Sequence, residues 1–463
     1  MPASFLAVQS PYDLKIISEL EIDNEANLES KLASAKRLNS SHPFGLPKDQ
    51  RTKILIKLVQ VMQAEAEHLA ELATSEGGKP LRDSRIEVAR AINGIELARD
   101  YLNKMSGEEI PMNRNAASKN REAWTLVEPI GLVAAISAFN HPLNLIVHQV
   151  LTAFAAGCPV IVKPALETPL SCMRLVELMK AAGCPENWIQ VLICDNHVAE
   201  KLACDPRINY LSFIGSAKIG WHLRSKIAPG TRCALEHGGI APAIVCDDAD
   251  LKTAATALLK GGFYHAGQVC VSVQRIFVHE AVARQFLKQL KSGAQKLVVG
   301  DPMNEKTEVG PLIRQGEISR ITEWINEAVV AGSELICGGK QIGHTCLEPT
   351  ILLNPPANCK VSTLEIFGPV VCVYTFKDID QAIEMANNTR FHFQSAVFSG
   401  DNKKAEAIAS KLNASTVMIN DHTAFRVDWM PFGGRDESGL GIAGIKYSMD
   451  EMSRYKLIVR NES

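Results

Sequence analysis

The chain has 463 residues, with 49 Lys and Arg against 51 Asp and Glu for a formal net charge of −2 and no basic stripe, which argues against a nucleic-acid partner. No run of about eighteen apolar residues occurs, so no membrane span is expected, and the length implies about two or three domains. Twelve cysteines without a CxxC pair read as reduced thiols, not as a disulfide frame or a zinc site, and point to a cytoplasmic setting.

The N-terminal MPASFLAVQSPYDLKIISEL lacks the basic and long apolar regions of a signal peptide. From 24 to 104 apolar residues recur at spacings of three and four, as in RTKILIKLVQVMQAEAEHLAELA and IEVARAINGIELARDYL; this predicts helices covering one face of a sheet. A polar connection, GEEIPMNRNAASKNR, follows. Short apolar runs then alternate with amphipathic segments: strand GLVAAISAF, helix PLNLIVHQVLTAFAAG, strand PVIVKP, helix LSCMRLVELMKAAG, and strands WIQVLIC and INYLSFIG with HVAEKLA between them. That alternation predicts parallel βα units. A second series follows Glu236, from APAIVC through a helix at 251–264 to RIFVHE, AVARQFLKQLKSGAQKL, VVCVYTF and STVMIN, and predicts a second α/β domain. The C-terminal EMSRYKLIVRNES reads as a strand able to pair with another segment or chain.

Ligands of parallel α/β sheets gather at the carboxyl ends of strands, and four such ends carry suggestive residues. Asn140, after GLVAAISAF, can either cap the next helix or donate its amide to an oxygen that becomes negative. Lys163, after PVIV, is either a solvated strand end or a holder of ribose or phosphate. Gly215 and Ser216 stand between a strand and AKIGWHLRSKIA, where backbone N–H groups suit a phosphate; the same residues can also be a plain helix cap. Glu236, before His237, Gly238 and Gly239, is a turn carboxylate or a general base. In GFYHAGQVCVSVQRIFV, Cys270 follows a glycine at a junction between helix and strand, where a thiol can be reached; a core cysteine is the alternative. In LEIFGPVVCVYTF, Glu365 can grip ribose hydroxyls or be a surface carboxylate, with Phe367 beside it.

Together these segments resemble the aldehyde dehydrogenase superfamily over almost the whole chain. AFN at 138–140, KPA at 163–165, FIGS at 213–216, LEHGG at 235–239, GQVC at 267–270, EIFGPV at 365–370 and PFGG with ESGLG near 431–441 occur in family order. The resemblance implies an α/β, aldehyde dehydrogenase-like fold: two parallel-sheet domains, one a Rossmann-like cofactor domain and one catalytic, with a small β bridging or oligomerisation arm. Expected limits are 1–110 and 131–238 for the cofactor domain, 239–438 for the catalytic domain, and 111–130 with 439–463 for the arm, which suggests a homodimer or homotetramer.

By the same resemblance Cys270 attacks an aldehyde, and the resulting thiohemiacetal loses hydride to NAD or NADP and leaves a thioester. Asn140 and the Cys270 N–H hold the oxyanion, and Glu236 activates the deacylating water. Lys163 contacts the adenosine ribose, Gly215 and Ser216 the pyrophosphate, and Glu365 the nicotinamide ribose, with Phe139, Ala165 and Phe367 on the same coenzyme surface. This chain departs from the common pattern at Leu166, where NAD-preferring relatives often carry a glutamate, so both coenzymes are expected to bind. It also has Phe139 where tryptophan is common and His237 where leucine is common. TAFRVDWMPFGG and Asn140-His141 look most like branches acting on small, often anionic aldehydes, such as lactaldehyde, phosphonoacetaldehyde or glyceraldehyde 3-phosphate. His141, Arg426 and Phe432 are the residues expected at the substrate, with Arg426 either gripping an anion or paired with Asp428. The alternatives are a coenzyme A acylating variant, a cysteine esterase or thioesterase using Cys270 with Glu236 or His265, and a catalytically silent protein on the same fold.

Overall fold

A computed structural model describes residues 4–461. The described residues begin with an antiparallel hairpin of Phe5–Gln9 and Ile16–Glu21, a stretch where the apolar pattern predicts no element. Helices Glu25–Ser41, Lys48–Ala64, Ala66–Gly77 and Leu81–Lys104 follow. The first is started by Asn24, whose side chain accepts from the N–H groups of Ala26 and Asn27 while Asn27 bonds back to Asn24, so its first orphan donors are satisfied. In Leu81–Lys104 the residues Leu81, Ser84, Val88, Ala91, Ile95, Ala98 and Leu102 are buried, the three-and-four spacing of one helix face.

Six strands form the first sheet, in the order Gly439–Leu440, Arg232–Glu236, Tyr210–Ile214, Val133–Ile136, Val160–Lys163, Ile189–Val191. All neighbours are parallel except the Gly439–Leu440 edge. Val133–Ile136 is wholly buried because both sheet faces are covered. Its side chains alternate: Val133 and Ala135 join the core under helices Lys48–Ala64 and Leu81–Lys104, and Ala134 and Ile136 join the opposite core with Leu28, Leu32 and Leu202. The segment 144–156 is not the single continuous helix expected, since a π turn, Val147–Leu151, interrupts it.

The second sheet has seven strands, in the order Glu334–Cys337, Thr350–Leu353, Val370–Phe376, Arg275–His279, Pro242–Val245, Gln394–Phe398, Thr416–Ile419. Only its Glu334–Cys337 edge is antiparallel. A large continuous core packs around it. Ser453–Asn461, Arg121–Pro129 and Glu109–Ile110 make a separate antiparallel sheet, in which Ser453 faces Pro129 and Asn461 faces Arg121. No helix of the described residues is long and apolar enough to cross a membrane.

Candidate active site

A cleft with about 500 Å³ of room runs between the two large sheets, and every residue expected to act on the aldehyde or the coenzyme lines it: Phe139, Asn140, His141, Lys163, Ala165, Gly215, Ser216, Glu236, Cys270, Glu365, Phe367, Arg426 and Phe432; Leu166, His265 and Asp428 do not. The first sheet contributes carboxyl ends. Asn140 follows Val133–Ile136, Lys163 closes Val160–Lys163, Gly215 follows Tyr210–Ile214 and Glu236 closes Arg232–Glu236. The second sheet is presented the other way round: Cys270 precedes strand Arg275–His279, and Glu365 and Phe367 precede Val370–Phe376. The carboxyl-end rule therefore locates the first sheet's share of the site, whereas Cys270, Glu365 and Phe367 come from segments leading into strands, and Arg426 and Phe432 from the segment after Thr416–Ile419.

Cys270 is partly accessible and sits on a strained approach. Helix Leu251–Phe263 ends, and His265, Ala266 and Gly267 take φ values of 49°, 53° and 70°; for the two non-glycine residues this left-handed backbone costs about 1–2 kcal/mol each. Gly267 is required for a second reason, because a Cβ there would lie 2.1 Å from the carbonyl oxygen of Gly368, in the loop that carries Glu365. Gln268 anchors the segment: its amide donates to the carbonyls of His265 and Pro311, and its side-chain oxygen accepts from Ile313 N–H at 2.9 Å. Asn140 caps no helix. Its Nδ2 donates to the Gln268 carbonyl at 2.9 Å, two residues before Cys270 in the chain, and both residues line the cleft. Glu87 fixes the loop beyond it by accepting from the N–H groups of Leu143 and Asn144, and Glu87 is itself paired with Lys79 in the interior.

Burial pushes the Cys270 thiol up to about 12, with Arg426 pulling it down and the Glu236 and Glu365 carboxylates adding to the rise. The resting group is a thiol, so nucleophilic work requires a base. Burial also raises Glu236, while Arg426 lowers it; a carboxylate above its usual range is a better proton acceptor at neutral pH.

Glu365 is raised to about 8 by burial, against a bond from the Gly239 N–H, and its Oε1 has no hydrogen-bond partner among the described residues. It lies across Gly238, where a Cβ would fall 1.6 Å from Oε1. Phe367, at φ 50°, meets the ring of Phe139 edge-on at 5.7 Å. Lys163 is buried, and desolvation lowers its pKa. Ser216 begins helix Ala217–Arg224 without a side-chain cap bond. An orphaned buried carboxylate oxygen, a buried amine and an open helix N-terminus in one cleft fit the hydroxyls and pyrophosphate of a dinucleotide. Leu166 brings no carboxylate to this end, and its neighbour Glu167 is paired with Arg314 at 3.2 Å.

Arg426 points its charge into the opposite end. Its guanidinium carbon lies 3.6 Å from the centroid of the Phe432 ring, a cation–π support, and Nε has no hydrogen-bond partner among the described residues. The Arg426–Asp428 pair is long, at 3.9 Å, because Asp428 is engaged elsewhere: Arg90 grips it with Nε and an η nitrogen at 3.0 and 2.8 Å, and His148 Nε2 stands 2.7 Å from it. His148 is pushed down to about 4 by burial and by Arg426, so it is neutral and donates an N–H to Asp428. Despite burial, which raises it, Asp428 is held well below the usual carboxylate range by His148 and Arg90. Burial likewise keeps His141 neutral, with Nε2 3.5 Å from the Tyr264 hydroxyl; it can offer a hydrogen bond but no charge.

Gln268, Arg90, His148 and the Lys79–Glu87 pair were missed from the sequence. Gln268 lay inside GQVC without an assigned role. Arg90, Glu87 and His148 sit in helical segments and Lys79 in the connection before Leu81–Lys104, where polar residues look solvated until the fold buries them.

Residues 2–458 match the aldehyde dehydrogenase family. The chain is 37% identical over 462 residues to the 3-sulfolactaldehyde dehydrogenase of Priestia megaterium, covering 99% of this chain and 95% of the relative. Its fold superimposes with a TM-score of 0.96 on aldehyde dehydrogenase 21 from Physcomitrella patens in complex with the reaction product succinate, at 33% identity over 100% of this chain and 96% of that one. It superimposes with a TM-score of 0.94 on glyceraldehyde-3-phosphate dehydrogenase from Methanocaldococcus jannaschii complexed with NADP, at 34% identity over 100% of both chains. A full-length match, joined to a cleft that gathers Cys270, Glu236 and Asn140, leads to one conclusion: the chain belongs to the aldehyde dehydrogenase family.

Proposed function

We propose that the protein oxidises a small anionic aldehyde to its carboxylic acid with NAD or NADP, and that Cys270, Glu236 and Asn140 carry the reaction. The observation that carries the choice of substrate is the Arg426 guanidinium, which faces the cleft beside Glu236 and is held only loosely by Asp428, at 3.9 Å, because Arg90 and His148 bind that carboxylate. Three relatives support it by their chemistry: one is named for a sulfonated aldehyde, one holds a dicarboxylate product, and one is named for a phosphorylated aldehyde.

Glu236 takes the proton of the Cys270 thiol, and the thiolate attacks the carbonyl carbon. The Asn140 amide and the Cys270 N–H then stabilise the oxygen that becomes negative. A nicotinamide dinucleotide bound along Lys163, Ala165, Gly215, Ser216, Glu365, Phe139 and Phe367 supplies the hydride acceptor. Loss of hydride from the thiohemiacetal to that acceptor would leave a thioester on Cys270; Glu236, once it has released the thiol proton to solvent, deprotonates a water that attacks the thioester carbon, and the acid leaves as the C–S bond breaks and Cys270 regains a proton, which favours hydrolysis over transfer to coenzyme A. Arg426, resting on Phe432, binds the anionic end of the substrate, and His141 adds a neutral donor.

We assign residues 1–110 and 131–238, which carry five of the six strands of the first sheet, to coenzyme binding and 239–438 to catalysis, with 111–130 and 439–463 as the arm, whose sheet also takes in Glu109–Ile110 while Gly439–Leu440 edges the first sheet. On that arm Tyr455, Leu457 and Val459 are exposed apolar residues at alternate positions of one strand, which supports a homodimer or homotetramer built through it.

The test is a panel of sulfonated, carboxylated and phosphorylated aldehydes, followed at the absorbance of the reduced nicotinamide with either coenzyme. At least one charged aldehyde is expected to turn over, and Cys270→Ala to abolish it. No turnover of any member, or turnover surviving Cys270→Ala, contradicts the proposal.

A further inference from the structure

His237, the residue after Glu236, is 1% exposed, and the fold leaves a fitted place for its ring. The ring stands between Phe213 and Trp221, with centroids 5.8 and 5.9 Å away. It also fills a notch above helix Ala217–Arg224 that exists only because residue 220 is glycine: a Cβ there would lie 1.9 Å from the imidazole Cε1. The ring Nδ1 is 2.9 Å from the carbonyl oxygen of Gly215. A carbonyl can only accept, so Nδ1 carries the proton and Nε2 is bare. Nε2 has no partner among the described residues, and burial lowers the imidazole pKa, so the neutral Nδ1–H form persists.

The bond completes a two-sided attachment. Gly215 N–H donates to the Glu236 carbonyl at 3.0 Å, and His237 N–H donates to the Ser438 carbonyl at 3.1 Å. Both polar groups of Gly215 are therefore held by the segment that bears Glu236. Ser216, with no cap bond of its own, follows directly.

We propose that His237 is a positioning residue: its imidazole latches the Gly215–Ser216 turn to the strand end that carries Glu236, and so sets the turn's amides and the Ser216 hydroxyl for the pyrophosphate of a dinucleotide. The inference rests on the pyrophosphate site assigned under the proposed function.

The experiment measures the dissociation constants of NAD and NADP by calorimetry on the full chain, without aldehyde. His237→Leu keeps bulk but removes the donor, and weakens both coenzymes about 5- to 10-fold, the effect of one lost buried hydrogen bond. His237→Asn restores an N–H near the position of Nδ1 and stays within about twofold of the unsubstituted protein. Gly220→Ala pushes the ring aside without altering its chemistry and weakens binding comparably, and the double variant Gly220→Ala/His237→Leu is no weaker than His237→Leu alone. In steady state the loss falls on the coenzyme KM and not on kcat. If thermal melting shows that His237→Leu does not fold, Gly220→Ala decides. Unchanged affinity in His237→Leu, or a His237→Asn as weak as His237→Leu, overturns the latch. Ser216→Glu separates the two layers: weakened binding there with intact binding in His237→Leu overturns the latch alone, whereas unchanged binding in Ser216→Glu overturns the pyrophosphate site and the latch with it.

Discussion

At the coenzyme end of the cleft, the groups suited to an anion are mostly backbone: the N–H groups opening Ala217–Arg224 behind the Gly215–Ser216 turn, with Lys163 nearby. At the substrate end they are side chains, and they are held by other side chains. Arg90, His148 and Asn144 share the Asp428 carboxylate, and Arg426 is left to face the cleft. A backbone cradle depends on the chain's path, so a substitution reaches it only by shifting that path, as at His237 or Gly220. A side-chain network can be rewired by one substitution, so under the proposed function the fold sets the coenzyme class and the network sets the aldehyde.

The largest expected effect falls between the two ends, where both depend on the same base. Glu236→Gln should lower kcat by about 10²- to 10⁴-fold with any aldehyde. Because burial raises the Glu236 pKa, the unsubstituted enzyme should lose activity on the acid side above the ordinary carboxylate range, and the variant should lose that limb; a pH–rate profile with an acid limb near 4 would contradict this assignment. A smaller effect should appear at the substrate end alone. Arg90→Met frees Asp428 to pair with Arg426, so kcat/KM for a charged aldehyde should fall about tenfold, the scale of one charge-assisted bond, with a neutral aldehyde almost unaffected. Equal losses on both would show that Arg90 only supports the fold. At the coenzyme end, kcat/KM for NAD and NADP should agree within about tenfold, because Leu166 offers no carboxylate and Glu167 is paired with Arg314; complete rejection of NADP would break the account there. The smallest effect concerns the thiol. With Cys270 raised to about 12, its alkylation by iodoacetamide should keep rising with pH past about 9, without the plateau of an ordinary thiol near 8.5. Arg426→Gln, which removes a charge that favours the thiolate, should slow it further.

The βα alternation was legible because buried parallel strands leave short apolar runs such as VAAI and VIVK, bounded by helices of different period. The residues proposed to react were legible as one cleft-lining set because their motifs stand in family order along the chain. The charge state of the pocket was not. His141 looked like part of an anion site, yet burial leaves it neutral. Arg426 and Asp428, two residues apart, read equally well as an ion pair, and only the approach of Arg90 and His148 from distant helical segments explains why that pair stays long, at 3.9 Å. The strained path through His265 and Ala266 carries no local signal either, since neither residue favours a positive φ and the surrounding packing imposes it.

The most direct test compares an anionic aldehyde with its uncharged ester, in the unsubstituted enzyme and in Arg426→Gln. The account predicts that the enzyme prefers the anion and that Arg426→Gln lowers kcat/KM for it by about 10- to 100-fold while sparing the ester. An ester used as well as the anion, or a variant that keeps the preference, would contradict it.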